Sequence, residues 1–493
     1  MEQQSKSRFA AGRWSYLWLV LSLVFLIFSG GRWAYAGAPW LALPLLLRFV
    51  RFQKPLVGYL FTVVVVTISS SIIWYGLFPL PLPMWVLFNL MPALFVAVPY
   101  LADRLIARRL PGFLSTLIFP VAVTVMEYVM SFRPGSGTYG SLAYSQFGNL
   151  PLIQIVSITG IWGIVFLIAW FASTINYCWE NGFAWKKIGK TAGIYLCVFA
   201  VVLLYGGARL IVIKPSETGV RVAAVTTPSD IVARIMGAFS GISPFHLQES
   251  LATLESQTVM AADAGARIIA WQEYGDLIST EDMDTFVKNG QRVAADKKIY
   301  LLIGVGLLDS GHNEKGENVT IFIDPDGKIA WRYLKSYLVP IIEEPYFKKG
   351  DKKIPVQDTP FGTIASVTCF DFDHPRYIRS AGHGIDLFLV PAFDGKTLTP
   401  VHSQMAVFRG IENGYSILKP TGEGLSIAAD QCGRVIAKQN YTTSHERVML
   451  ADMPVKSGFT IYSVIGDAFA WLCMIGLIGL IVVAVIRGRQ YIK

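Results

Sequence analysis

The sequence predicts a chain of two parts: a membrane α-helical bundle of about eight spans, and a water-exposed α/β domain of two packed sheets with helices outside. Three observations carry this reading. Of 493 residues, 53% are hydrophobic and only 16% charged, where an ordinary soluble domain is nearer a quarter charged. The apolar excess is concentrated in 14–213 and 466–486, while 219–455 has the composition of a soluble domain. Within that soluble stretch, β-like runs alternate with helical ones, the pattern of buried sheets covered by helices. The expected parts are therefore 1–213 (seven spans), 219–455 (the soluble domain) and 466–486 (the eighth span).

A helix needs about 20 residues to cross hydrocarbon. Apolar runs of that kind lie near 14–30, 38–50, 56–79, 84–102, 113–132, 156–178, 191–213 and 466–486. The second, PWLALPLLLRFV, is short and leaves a re-entrant or interfacial helix open. Charge decides the count, because cytoplasmic loops collect lysine and arginine. With eight spans, five basic clusters fall on one face: Lys6/Arg8/Arg13, Arg48/Arg51/Lys54, Arg104/Arg108/Arg109, Lys186/Lys187/Lys190 and Arg487/Arg489/Lys493. With seven, the first cluster faces away from the rest. Both termini are then cytoplasmic and 219–455 is extracytoplasmic. The formal charge of +9 is explained by these loops; no basic stripe interleaved with aromatics points to nucleic acid. Glu127, inside the fifth run, is either functional, as intramembrane ionisable groups tend to be, or an interfacial or helix-paired carboxylate.

In the soluble domain, strands are expected at 221–228, 267–273, 299–309, 364–371, 386–393, 415–421 and 447–455, and helices at 248–265, 280–298 and 399–413. Two hairpins, 319–335 and 425–439, turn at Asp324-Pro325-Asp326-Gly327 and Asp430-Gln431-Cys432-Gly433, both strong turn signals.

Three ionisable residues close expected strands: Glu273 after IIAWQ, Lys335 after AWRYL, and Cys369 near the end of IASVTC. Strand carboxyl ends are where α/β folds assemble sites. A thiolate is a strong nucleophile, a carboxylate can take its proton, and an ammonium can stabilise the thiolate and a later oxyanion. Glu, Lys and Cys are thus what covalent acyl chemistry requires. On the residues alone, the main alternative for Cys369 is a buried small hydrophobe, and a lesser one is half of a disulfide with Cys432, the other cysteine of this domain. The five cysteines form no CxxC or zinc spacing, and no HExxH, GxxxxGK[ST] or GxSxG is present. Asp371, Asp373 and His374 cluster, but carboxylates so close to a strand end more often cap the next helix. No metal and no cofactor are expected.

The segments around these residues resemble the nitrilase (carbon–nitrogen hydrolase) superfamily, whose active site is Glu, Lys and Cys in this order. WQEYG resembles its W-P-E segment, RYLKSYLVPIIEEPYF its K-x-H-L-V-P-F-G-E-x-x-P-F segment, and VTCFDFDHPRY its I-C-Y-E segment. FRGIENGYSILKPTGEGLSIAADQCGRVI looks like its R-A-x-E-N-G stretch and following hairpin. The resemblance implies Glu273 as general base, Lys335 as the cation, Cys369 as nucleophile, and Glu343 and Phe370 as supporting residues. PWLALPLLL and YSQFGNLPLIQIVSITGIWGIVFL resemble the membrane-embedded branch, the apolipoprotein N-acyltransferases. That branch implies a phospholipid acyl donor and a lipoprotein acceptor with a lipid-modified N-terminal cysteine. It also implies a monomer in the bacterial cytoplasmic membrane with its catalytic domain on the outer face. Departures fall around the chemistry rather than on it: Gln272 for proline, Tyr337 for histidine, Ile341 and Ile342 for Phe-Gly, Phe370 and Asp371 for Tyr-Glu. An amidase or nitrilase passing the acyl group to water, and an inactive lipid-binding protein, are the competing functions.

Overall fold

The structure is a computed structural model that describes residues 13–133, 135–214, 219–227, 247–309 and 314–490. Lys6, Arg8 and Lys493 of the basic clusters, and Pro228 at the end of the first expected strand, lie outside the described residues. The chain divides into two compact units: 1–133 with 138–212 and 465–493, and 134–137 with 213–464.

The first unit is helical. Among the described residues, six helices are long and apolar enough to cross a membrane: Pro55–Ile73, Leu82–Arg109, Gly112–Met130, Trp162–Glu180, Trp185–Val212 and Ala468–Gly488. The runs near 14–30 and 38–50 form helices Arg13–Ile27 and Ala38–Phe52 of 15 residues each. At 1.5 Å per residue each is about 22 Å long, short of the roughly 30 Å hydrocarbon core. The run expected as one span at 156–178 is broken. Val156–Thr159 is a single turn, Gly160 adopts a left-handed φ of 63°, and the long helix starts at Trp162. Large apolar side chains such as Leu204 and Ile475 stand exposed along these helices, as lipid-facing surfaces require. Several polar groups inside the unit are paired. Arg51 donates to both carboxylate oxygens of Asp103 at 2.8 Å, and Trp162 Nε1 donates to Asp467 at 2.9 Å. Glu127 is a paired carboxylate: it accepts from Ser141 Oγ (2.6 Å) and from the backbone N–H of Leu142 (3.3 Å).

The second unit is built, among its described residues, on 15 strands: β1 Val220–Val225, β2 Ile268–Trp271, β3 Asp276–Ser279, β4 Tyr300–Leu308, β5 Glu317–Ile323, β6 Ile329–Leu334, β7 Val356–Thr359, β8 Gly362–Ser366, β9 Leu387–Leu389, β10 Ala392–Phe393, β11 Ser416–Lys419, β12 Thr421–Gly422, β13 Leu425–Ala429, β14 Val435–Asn440 and β15 Val448–Met453. One sheet runs β15-β1-β2-β4-β5-β6, with β3 added on β4; the other runs β14-β13-β11-β9-β8-β7. The sheets pack face to face through Val222, Ile268, Leu302 and Phe322 on one side and Ile364, Leu387, Leu389 and Leu418 on the other. Burying each of these side chains is worth about 1.5–3 kcal/mol. Helices α1 (Leu247–Asp263) and α2 (Met283–Lys297) contribute Leu254, Ala261, Phe286 and Ala294 to the outer core of the first sheet. Helix α3 (Val401–Asn413) packs on β11 and β13 of the second.

Both hairpins form with the same turn chemistry. Asp324 Oδ1 accepts from the N–H groups of Asp326 and Lys328, and Gly327 takes φ 78°. Asp430 Oδ1 accepts from Cys432 and Arg434, and Gly433 takes φ 79°. Glycine suits this left-handed position because it lacks a Cβ. Cys432 is thereby fixed in a turn as a buried free thiol, and Cys369 is free as well; the disulfide alternative fails.

The expected strands all end somewhat earlier than read, and three depart further. The run 386–393 splits at Pro391 into β9 and β10, and 415–421 splits at Pro420 into β11 and β12. Proline has no N–H for a ladder, so β10 and β12 leave the main sheet and pair with each other. The strand expected over 364–371 ends at Ser366.

Candidate active site

Glu273 lies two residues past β2, Lys335 directly after β6, and Cys369 three residues past β8. The nucleophile candidate is therefore not in a strand. It opens a short 3-10 turn, Cys369–Asp373, and its own φ is 50°. A left-handed non-glycine residue costs about 1–3 kcal/mol and persists only where its surroundings dictate it. Asp371 supplies that dictation. Its carboxylate accepts from the N–H groups of Thr368, Ser336 and Tyr337 and from the hydroxyl of Tyr333. It completes a capping box with Thr368, so it caps the turn as the sequence suggested. Tyr274, next to Glu273, is also left-handed at φ 49°.

Lys335 Nζ stands 2.7 Å from Glu273 and 2.8 Å from Glu343. Asn318 Nδ2 donates to Glu273 at 2.7 Å and to Glu343 at 3.2 Å. Tyr274 OH and the Val339 N–H each donate to Glu343 at 2.7 Å. The Phe393 N–H donates to the second oxygen of Glu273 at 2.9 Å. Cys369 Sγ approaches the Phe393 carbonyl at 3.9 Å. All four chemistry-bearing side chains are at most 5% exposed. The structure thus gathers Glu273, Lys335, Glu343 and Cys369 at one place. Phe370 sits on the same turn, only half-buried, with its ring edge-on to His374.

Two carboxylates share one ammonium in a dry site, and the proton affinities follow. Burial, reinforced by Glu343 and opposed by Lys335, raises Glu273 above the usual carboxylate range. Burial opposes the Lys335 charge, yet Glu273 and Glu343 outweigh it and hold the ammonium firmly protonated. Burial and the Glu273 carboxylate push the Cys369 thiol up, against the pull of Lys335. The sulfur therefore rests as a thiol. It can act only if its proton leaves as it attacks, and a carboxylate of raised proton affinity suits that transfer.

The altered positions have local explanations. Gln272 Oε1 accepts from the Thr227 N–H at 3.1 Å, and its amide reaches Thr227 Oγ1 and the Tyr274 carbonyl. It ties the turn bearing Glu273 to the end of β1. Tyr337 stacks on His374 with ring centroids 3.8 Å apart. Ile341 and Ile342 are 50% and 39% exposed, while Leu338 joins the buried cluster around Tyr274 and Phe347.

Residues 221–458 match the carbon–nitrogen hydrolase family model, and residues 9–174 match the N-terminal domain of apolipoprotein N-acyltransferases. The two matches together give the chain the domain arrangement of the apolipoprotein N-acyltransferases, to which it is similar along most of its length. An apolipoprotein N-acyltransferase of Geobacter metallireducens is 26% identical over 95% of this chain and 94% of its own length. One of Thermotoga maritima is 25% identical over 83% and 79%. Among solved structures, an amidase from Nesterenkonia sp. is similar over 52% of this chain and 97% of its own, with 18% identity and a TM-score of 0.42.

The sequence reading missed Asn318 and Tyr274; it took Asp373 only as a helix cap and missed the buried group it joins, with Asp394, His402 and Lys419. Asp394 and Lys419 each carried one weak signal, a charged residue closing an apolar run, and the others lie in mixed polar stretches that carried none. Cys369, Asp394 and His402 bring a thiol, a carboxylate and an imidazole within 4.8 Å of one another, a set of metal-ligand types. Both His402 nitrogens are already on carboxylates, and Lys419 is on Asp394. The set is satisfied by its own protein partners.

Proposed function

We propose that this protein moves a fatty acyl chain from a phospholipid, through a thioester on Cys369, to the N-terminal amine of a diacylglyceryl-modified lipoprotein. The observation that carries the reading is the dry Glu273–Lys335–Glu343 cluster gathered with Cys369, in a chain whose described residues include six helices able to cross a membrane. The site of action in this reading is the outer face of a bacterial cytoplasmic membrane. The bacterial relatives and the basic clusters between spans support it.

Sγ attacks the ester carbonyl of the phospholipid while Glu273 takes the thiol proton. Lys335 Nζ offsets the charge that builds on the carbonyl oxygen. The tetrahedral species collapses, the lysophospholipid oxygen leaves with the proton from Glu273, and the acyl chain stays on sulfur. The lipoprotein amine then attacks the thioester and Glu273 takes its proton. The thiolate leaves and is reprotonated. Glu343 holds Lys335 between the two carboxylates and keeps the ammonium charged through both halves.

Mass analysis of the purified protein after exposure to phospholipid tests this directly. The expected result is an acyl thioester on Cys369 that an amine acceptor discharges as an amide. Absence of the adduct overturns the covalent route. Release of free fatty acid at the same rate with and without amine replaces the transferase with a hydrolase.

A further inference from the structure

The second ionic network adjoins the reacting sulfur. His402 bonds Asp394 Oδ1 through Nδ1 at 2.6 Å and Asp373 Oδ1 through Nε2 at 3.0 Å. Lys419 Nζ donates to Asp394 Oδ2 at 2.8 Å and to Ser403 Oγ at 3.2 Å. All four charged side chains are at most 7% exposed. Burial works against the His402 cation, but Asp373 and Asp394 overcome it and raise its pKa to about 9. With both ring nitrogens engaged as donors, His402 has no lone pair with which to deprotonate Cys369.

The placement of the four is informative. Asp373 ends the turn that Cys369 begins, and Asp394 directly follows Phe393. His402 rides on α3, and Lys419 ends β11. The Phe393 residue between them holds Glu273 through its N–H at 2.9 Å and lies 3.9 Å from Sγ through its carbonyl. Buried ion pairs recover their desolvation cost poorly, and apolar residues of similar volume often stabilise as well. Four buried charges therefore point to a demand for geometry.

We propose that Asp394, His402 and Asp373 are positioning residues, a strut that fixes the Cys369 turn against the Phe393 backbone and so sets the nucleophile relative to Glu273. The proposal rests on the acyl-transfer reading of Cys369 and Glu273. Asp373 anchors the turn, His402 spans the gap, and Asp394 holds Phe393 in place with Lys419 as its counter-ion.

Two measurements on the full-length protein in detergent test it. One is acyl transfer with kcat and KM for phospholipid. The other is the rate of Cys369 alkylation by iodoacetamide, read on the Cys369 peptide by mass spectrometry, which needs no acyl transfer. Asp394→Asn and His402→Gln are each expected to lower kcat at least tenfold with KM within twofold, and to change the alkylation rate at least threefold. Folded variants with kcat within twofold of wild type overturn the strut. So does a fall in kcat with alkylation unchanged, since the thiol's surroundings would then be intact. If these two variants do not fold, Asp373→Asn, which keeps the Asp394–Lys419 pair, carries the test by the same two criteria with a threefold threshold on each. A wild-type protein that forms no thioester would refute the acyl-transfer reading instead, and the alkylation comparison would still report on the strut.

Discussion

At the scale of single residues, Cys369, Glu273 and Lys335 are equally buried but not equivalent as targets for substitution. Cys369→Ala removes only a sulfur from a turn that Asp371 holds by four hydrogen bonds. Its fold and membrane insertion should survive while turnover falls at least about a thousandfold, a barrier increase of about 4 kcal/mol. Activity above a tenth of wild type in a steady-state assay would remove Cys369 from the chemistry. Cys369→Ser should be equally inactive, because a base suited to a thiol cannot deprotonate a far less acidic hydroxyl. Lys335→Ala differs: it leaves Glu273 and Glu343 facing each other without their cation, 2.7 and 2.8 Å from where it stood. Breaking such a buried set costs about 3–5 kcal/mol, so a lower melting temperature is expected together with lost activity.

His402 gives a pH signature at the same scale. Its pKa is about 9 in the fold against 6.5 for the ordinary side chain, because Asp373 and Asp394 outweigh burial. The stability this adds is complete below pH 6.5 and is lost as pH rises through about 9. At about 1.4 kcal/mol per pH unit the difference amounts to about 3 kcal/mol. Asp394 is opposite in sign: burial is outweighed by His402 and Lys419, its pKa falls to about 2, and its contribution is lost only as pH drops through that value. Melting temperatures of wild type and His402→Gln should therefore converge between pH 6.5 and 9. Parallel curves across that window would show that His402 is not held as a cation.

At the scale of elements, β4 supports the turn that carries Glu273. A Cβ on Gly304 would lie 2.4 Å from the Gln272 carbonyl oxygen and 3.4 Å from the Glu273 Cα. The obstructing atom is backbone, so Gly304→Ala must displace the segment that aims Glu273. A stability loss of about 1–3 kcal/mol is expected from overpacking, with activity falling further than thermal stability alone explains. Unchanged kcat would show that the Glu273 turn tolerates the shift. The segment after Lys335 is the second such element. Leu338 is buried, whereas Ile341 and Ile342 are largely exposed. An apolar pair standing free is suited to cover an acyl chain or to exclude water from a thioester. Replacing both with serine should raise fatty-acid release relative to amine acylation in single-turnover experiments; an unchanged ratio would remove this pair from water exclusion.

At the scale of the whole chain, the expectation to test is sidedness. The eight-span reading puts the five basic clusters on one face and 219–455 on the other. Topology reporters fused after Asn181 and after Lys214 should then report opposite sides of the membrane. The same side for both would overturn the count, and the two 15-residue helices Arg13–Ile27 and Ala38–Phe52 are where it would fail. The large soluble unit needs no such test of its core, because its two sheets bury a continuous apolar layer between them.

The sequence by itself determined what local chemistry can encode. It separated apolar from soluble stretches, placed both Asp-x-x-Gly turns, ordered most strands and helices, and put Glu273, Lys335 and Cys369 at or near strand ends. It misplaced strand limits where proline removed a donor, at Pro391 and Pro420, and where Cys369 turned left-handed. Only the tertiary structure decided which polar residues share a site. Asn318 meets Glu273 across 45 positions, Phe393 meets it across 120, and His402 meets Asp373 across 29. Hydrogen bonds over such separations depend on how sheets and loops stack. A buried polar residue looks alike in the sequence whether its partner is a nearby turn or a nucleophile a hundred residues away. Burial then sets the proton affinities. Glu273 and Cys369 lie above their ordinary values because the fold removes water from around them, and the amino-acid order carries no direct record of that dryness.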